Sequence, residues 1–197
     1  MPRRTTTSYA LLGLLALRSW TTYELAKQVQ RSLNWFWPRA ERKLYDEPKH
    51  LVAAGLATAT SESTGKRPRT VYSITRAGRR ELAAWLDEPA APRSGEFEAM
   101  VKVFFADAGD LDQLRTTLGR MEEEARDRIR ALAEMAAHPP QFLGRLHISA
   151  LTLRLGLEQE RAVLAWAEWA REQVSHWRST TDWGDWDPQA VLDQLAE

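Results

Sequence analysis

The sequence contains no cysteine, an absence that removes disulfides, thiol nucleophiles and thiolate metal sites together. A secreted disulfide scaffold is excluded, and a reducing compartment fits. Long apolar runs are missing as well. None approaches the ~20 residues that cross a bilayer, and the longest, Tyr9 to Leu17, is followed at once by Arg18, Ser19 and Trp20. Arg3 and Arg4 ahead of that run superficially resemble an export signal, but no small-residue cleavage site follows, so the expected location is cytoplasmic, with no membrane partner. Histidine is scarce: His50, His138, His147 and His176 have no i, i+4 ligand spacing. No glycine-rich phosphate loop accompanies them. Catalytic residues, metal ligands and cofactors are therefore not expected, and an enzyme is the poorer reading. Glu122, Glu123 and Glu124 read as a solvated face.

Net charge is absent only in the sum, because 27 basic side chains balance 27 acidic ones. Cut after Arg80, the first part carries fifteen Lys and Arg against five Asp and Glu, net plus ten; the rest carries twelve against twenty-two, net minus ten. A basic module that meets a polyanion, joined to an acidic module with another task, is the simplest account.

Periodicity supplies the elements. Tyr9 to Leu17, apolar nearly all round, predicts a short buried helix. Thr21 and Glu24 form a capping box for a second helix with Leu25, Ala26 and Val29 on its inner face. A third begins at Pro38, a position where proline is tolerated, and ends at Gly55, with a kink or break expected near Tyr45 because Pro48 lacks a backbone N–H. Two strand-like runs, Leu56 to Thr60 and Thr70 to Ile74, flank Ser61 to Arg69, which reads as a long basic hairpin tip. Thr75 caps a fourth helix, and the prolines at 89 and 92 interrupt the pattern. The expected organisation is a domain at 1–88, a linker at 89–96 and a helical domain at 97–197.

In that second part, Phe97 to Ala106 predicts a short helix, and Asp110 with Gln113 another capping box. Leu111, Leu114, Leu118, Met121, Ala125, Leu132 and Met135 then keep a heptad-like seam up to Pro139 and Pro140. A last long helix, about Gly144 to Trp177, has two apolar faces. Leu146, Leu153, Leu157 and Leu164 lie on one; Leu151, Leu155, Trp166, Trp169 and Trp177 lie nearly opposite. The tail with Trp183, Gly184 and Trp186 reads as a loop followed by one helical turn from Gln189.

The fold class expected is thus mainly α with a small β-hairpin. Three helices, a basic hairpin and a fourth helix follow the order of a winged helix-turn-helix, whose third helix enters a major groove. Arg39, Arg42, Lys43 and Lys49 lie along that helix, Tyr45 offers a hydroxyl to a phosphate or sugar, and Lys66, Arg67 and Arg69 occupy the hairpin. These are the side-chain types that neutralise phosphates or donate to guanine edges. The partner expected is double-stranded DNA. A competing reading makes the heptad helix a protein-interaction module and the basic half merely solubilising; it predicts no steep salt dependence of DNA affinity.

The sequence resembles the PadR-like family of bacterial transcriptional regulators. The resemblance rests on Tyr9-Ala10-Leu11-Leu12-Gly13-Leu14-Leu15, Thr22-Tyr23-Glu24-Leu25, and Leu44-Tyr45 with Leu51, Gly55 and Leu56. It continues through Arg67-Pro68-Arg69-Thr70-Val71-Tyr72-Ser73-Ile74-Thr75 to Gly78. Val103-Phe104-Phe105 and the long helices resemble the longer, Vir-type C-terminal dimerisation domain of that family. One departure stands out: the family usually has proline directly after the tyrosine, whereas this chain has Asp46, Glu47 and Pro48, so base contacts do not transfer. Both acidic residues are expected to face away from DNA.

The resemblance implies a repressor released by a small, aromatic or antibiotic-like molecule. Trp35, Phe36 and Trp37, with Trp166 and Trp169, are the residues from which a flat effector slot is expected. The resemblance also implies a homodimer on a pseudo-palindrome with half-sites about 34 Å apart. For the dimer contact the candidates are Leu151, Leu155, Trp166, Trp169 and Trp177, with the Leu146 face packing on its own chain.

Overall fold

The computed structural model describes residues 4–33, 41–64, 67–93, 95–138 and 142–196. The chain divides into two compact units, Met1–Arg93 and Ser94–Glu197. Among the described residues no helix is long and apolar enough to cross a membrane.

In the first unit, α1 (Thr6–Leu17) is capped by the Thr5 hydroxyl, which accepts from the Ser8 backbone N–H. Its Leu11, Leu12 and Leu15 are almost wholly buried, as its all-apolar pattern predicts. A two-residue strand, β1 (Trp20–Thr21), follows, and Trp20 donates its indole N–H to the Leu14 carbonyl at 2.7 Å. Helix α2 (Thr22–Ser32) starts at the predicted capping box. Thr21 Oγ1 accepts from the Glu24 N–H at 3.2 Å, and Glu24 Oε2 accepts from the Thr21 N–H at 2.8 Å. That backbone hydrogen bond is the main reason the Glu24 carboxyl lies below its ordinary pKa.

Helix α3 (Glu41–Ala53) continues through Tyr45 and Pro48, so of the kink or break expected near Tyr45 the break does not occur. Leu44, Pro48 and Leu51 are all under 2% exposed, so burial of the proline ring offsets the hydrogen bond it cannot make. The helix stops at Gly55, whose φ of 71° is the left-handed conformation of a Schellman turn. The Leu56 N–H donates to the Leu51 carbonyl and the Gly55 N–H to that of Val52, each at 2.9 Å.

Strands β2 (Ala57–Thr64) and β3 (Arg67–Ile74) pair antiparallel from Ala57↔Ile74 to Thr64↔Arg67, and β1 adds to β3 at Trp20↔Tyr72 and Thr21↔Val71. Sheet order is β1-β3-β2. Most of the expected long loop is therefore strand. Its Ser, Thr and Glu residues make a polar ladder in which Arg69 pairs across the strands with Glu62 at 3.0 Å. Pro68 is tolerated in β3 because β1 covers only Val71 and Tyr72, leaving the strand one-sided beyond them. Helix α4 (Arg76–Asp87), capped by Thr75 as predicted, closes the unit. Its Gly78 lies so close to Leu56 that a Cβ there would sit 2.2 Å from the Leu56 carbonyl oxygen. Trp85 of the same helix stacks on Tyr9, ring centroids 4.7 Å apart.

The second unit is built on two long helices, α6 (Leu111–Ala137) and α7 (Leu146–Ser175), with α5 (Glu98–Phe104) against the former. The Asp110–Gln113 capping box opens α6 as predicted. The core joins Leu114, Leu118 and Met121 to Ala167, Ala170 and Val174, while Gly156 lies against Leu132 further along. Small residues of α7 therefore meet large residues of α6. Helix α8 (Pro188–Ala196) is longer than the single turn expected. Asp187 accepts from the Gln189 and Ala190 N–H groups ahead of a proline at the first helical position.

Candidate nucleic-acid interface

The outer surface of α3 and the β2–β3 hairpin are the parts of the first unit to which the sequence assigned polyanion binding. Helical geometry decides which α3 residues share a face. At about 100° per residue, Asp46 falls roughly opposite the buried Leu44 and Leu51, with Arg42, Lys49 and Ala53 around it. Asp46 and Lys49 are both exposed and paired, Lys49 Nζ lying 3.4 Å from Asp46 Oδ1. Tyr45 is half-buried on one flank. Arg42 and Lys43 belong to α3 by backbone, but their side chains lie outside the described residues, as do Arg39 and Lys66 entirely. In the hairpin, Arg67 stands at the register position facing Thr64. Arg69 is exposed beside Glu62, so half of that cross-strand pair opposes an anion.

The two acidic residues that depart from the family pattern separate. Glu47 turns inward, where it accepts a hydrogen bond from the Ser8 hydroxyl of α1 and lies 3.5 Å from His50 Nδ1. It is therefore a tie between α1 and α3. Ser8 and Glu47 are 39 positions apart, and no local pattern in the sequence marks them as partners. Asp46, by contrast, is exposed to solvent. Other cations are engaged at the edges of the unit: Arg18 lies over the Trp20 ring at 3.6 Å and 3.4 Å from Glu24, and Arg79 donates to the Ala16 carbonyl.

The second unit carries the residues considered for dimer contact. Leu151 is 71% exposed, Leu155 52% and Trp169 41%, whereas Trp166 and Trp177 pack half-buried against the unit's own core. Leu146, expected to pack on its own chain, is 55% exposed. The reason is the small-residue seam: Gly156, Ala167 and Ala170 take the place against α6 that a search for large apolar residues gave to the Leu146 face. Of the effector candidates, Trp35, Phe36 and Trp37 lie outside the described residues. A cavity of about 740 Å³ opens beside α5 and the start of α6, lined by Val101, Phe105, Asp110, Gln113, Leu114 and Thr117 among others. None of those six is among the aromatics named from the sequence.

Acidic character in this unit is partly buried. Glu122 is 4% exposed and held by Arg171 at 2.7 Å and Arg126 at 2.9 Å; Arg126 continues to Glu168. Burial raises the Glu122 carboxyl, but the hydrogen bonds from Arg171 and Arg126 outweigh it and leave the group below its ordinary pKa. Glu160, beside Arg128 at 2.7 Å, is pushed up by burial.

Comparison with known proteins follows the same division. Residues 11–84 match the transcriptional regulator PadR-like family, and residues 98–175 match the virulence activator alpha C-terminal family. The chain is 28% identical over 186 residues to the probable transcriptional regulator Rv1176c of Mycobacterium tuberculosis, covering 86% of this chain and 98% of that protein. It is also 28% identical over 170 residues to the negative transcriptional regulator PadR of Bacillus subtilis, covering 81% of this chain and 92% of the relative. The crystal structure of B. subtilis PadR in complex with operator DNA has a TM-score of 0.73 at 22% identity, over 86% of this chain and 99% of that one. The same regulator in complex with p-coumaric acid gives 0.66 at 23%, over 85% and 98%. With the winged-helix architecture and the long-helix unit each matched in their own region, the chain carries a PadR-like transcriptional-regulator domain at residues 11–84 and a virulence activator alpha C-terminal domain at residues 98–175.

Proposed function

We propose that this regulator is a homodimeric, cytoplasmic repressor. In this reading it holds a pseudo-palindromic operator through α3 and the basic hairpin, and a small aromatic molecule releases it. The observation that carries the reading is the exposed outer face of α3, with Lys49 on it and Arg42 at the same face by helical position, in a unit whose first 80 residues are net plus ten. Arg39, Arg42, Lys43, Tyr45 and Lys49 are assigned to the major groove and its phosphates. Lys66, Arg67 and Arg69 are assigned to the adjacent backbone or minor groove. The domain at 1–88 reads DNA, 89–96 links, and 97–197 dimerises.

Two copies are proposed because α7 leaves Leu151, Leu155 and Trp169 exposed, and apolar surface of that kind is covered in a stable assembly. Release is proposed as a population shift: a ligand that prefers a different arrangement of the dimer helices changes the separation of the two α3 helices, and one set of half-site contacts is lost. The relative solved with p-coumaric acid supports testing phenolic acids first.

The test is fluorescence anisotropy of a labelled duplex from the gene's own upstream region against a shuffled duplex, at two salt concentrations. The expected result is tighter binding to the upstream duplex, weakening with salt by roughly one unit of log slope per neutralised phosphate. Arg67→Ala lowers that slope by about one unit. No binding at low salt overturns the reading and favours a protein-interaction module.

A further inference from the structure

Resting on the reading of α3 as the groove-entering helix, we infer that Asp46 and Lys49 form a composite reader of a C·G base pair. Asp46 accepts from the cytosine amino group, and Lys49 donates to the guanine of that pair.

The argument starts from a misfit. A carboxylate at the outer pole of a helix presented to phosphates weakens binding to every sequence alike, and this unit otherwise accumulates positive charge. One acidic residue of this segment is drawn inward, since Glu47 next door accepts from the Ser8 hydroxyl. Among the described residues Asp46 has no such tie. It stands 54% exposed by side chain, roughly opposite Leu44 and Leu51, with Lys49 beside it at 3.4 Å.

Base-edge chemistry restricts what such a pair can read. Major-groove donors are limited to the amino groups of cytosine and adenine, and a carboxylate, which only accepts, is matched to cytosine N4. An ammonium only donates, and guanine offers it two acceptors, O6 and N7. Within one C·G pair the cytosine donor and guanine O6 are neighbours, so an acceptor and a donor side by side on one helix face reproduce the pattern in reverse. A T·A pair presents the thymine O4 where cytosine has its amino group and sets two acceptors against each other, and an A·T pair, though it offers a donor beside an acceptor, adds the adenine N7 acceptor next to its amino group, which repels a carboxylate. Lys49 also screens Asp46 from the phosphates on approach, which lets the carboxylate reach the groove.

The experiment selects bound duplexes from a randomised library with the full-length protein, in wild-type, Asp46→Ala, Asp46→Asn and Lys49→Ala forms, and then titrates the selected duplex with single base-pair changes. Wild type is expected to enrich a C·G pair in each half-site and to lose about tenfold or more in affinity when that pair becomes T·A. Asp46→Ala erases the preference at that pair and leaves the others. Asp46→Asn moves it toward A·T, because an amide both accepts and donates and matches adenine. Lys49→Ala weakens the preference for the guanine partner and shallows the salt slope. An Asp46→Ala profile identical to wild type, with tighter binding to all duplexes, overturns the inference and leaves Asp46 as a repelling charge. A wild-type A·T preference lost in Asp46→Ala overturns the assignment to cytosine. A wild-type protein that enriches nothing and binds no duplex at low salt overturns the DNA-reading role of α3 itself, an outcome distinguishable from both.

Discussion

The two units bury their large side chains to different degrees. In the first, Leu11, Leu12, Leu15, Trp20, Leu25, Leu44 and Leu51 are almost wholly buried within one small core, closed by three helices, a three-stranded sheet and α4. In the second, the buried positions on α7 are Gly156, Ala167, Ala170 and Val174, while Phe104, Leu143, Leu151 and Leu155 are more than half exposed. Charge divides in the same sense, net plus eight over Met1–Arg93 and net minus eight over Ser94–Glu197. The first unit centres its core on large side chains, whereas the second buries large residues of α6 against small residues of α7 and leaves large residues of α7 at the surface.

That contrast can be broken at three points. The largest effect on assembly is expected from Leu151→Asp combined with Leu155→Asp. If a second copy covers this face, the double variant behaves as a monomer in light scattering at concentrations where wild type is dimeric. The expected loss is at least about 2 kcal/mol of association, roughly thirtyfold in Kd. A dimer unchanged by both substitutions removes α7 from the interface. Leu51→Ala is expected to cost about 2–5 kcal/mol, because the side chain is completely buried and the surrounding helices relax only in part. Chemical denaturation followed by near-UV dichroism reads the loss, which falls on the first unit.

The smallest effect is a pH dependence. Glu122 has a folded pKa below its unfolded one, so its contribution to stability is fully present above the ordinary carboxylate value near ~4.3 and is lost as pH falls through the lower folded value. Glu160, shifted upward, acts in the opposite sense: its protonated form is favoured in the folded state, so its contribution declines as pH rises through the folded value. Glu122→Gln is therefore expected to flatten the acid limb of the stability profile below about pH 4.5, at some loss of stability at neutral pH. An unchanged acid limb means that other carboxylates dominate it.

Local signals were readable where local physics decides them. Thr21 with Glu24, Thr75, and Asp110 with Gln113 cap the helices that the sequence assigns to them, because each cap is a contact between residues three apart. Gly55 ends α3 for the same kind of reason. The hairpin was read too short, since a polar ladder of Thr, Ser and Glu carries no apolar alternation and its pairing depends on the strand opposite. Pro48 led to the expectation of a kink or break near Tyr45 because its cost is local and the burial that offsets it is not.

By itself, then, the sequence determined the fold class, the order of the helices and the hairpin, the caps at Thr21, Thr75 and Asp110 and the opposite charges of the two parts, all of which follow from composition and from neighbours within a helical turn or a strand. Only the tertiary structure decided that Glu47 turns to Ser8 while Asp46 stays out, and that α7 meets α6 through glycine and alanine instead of leucine. The physical reason is the same in both cases. Which face of a helix is buried depends on what stands against it, and for these helices that neighbour lies tens of residues away along the chain.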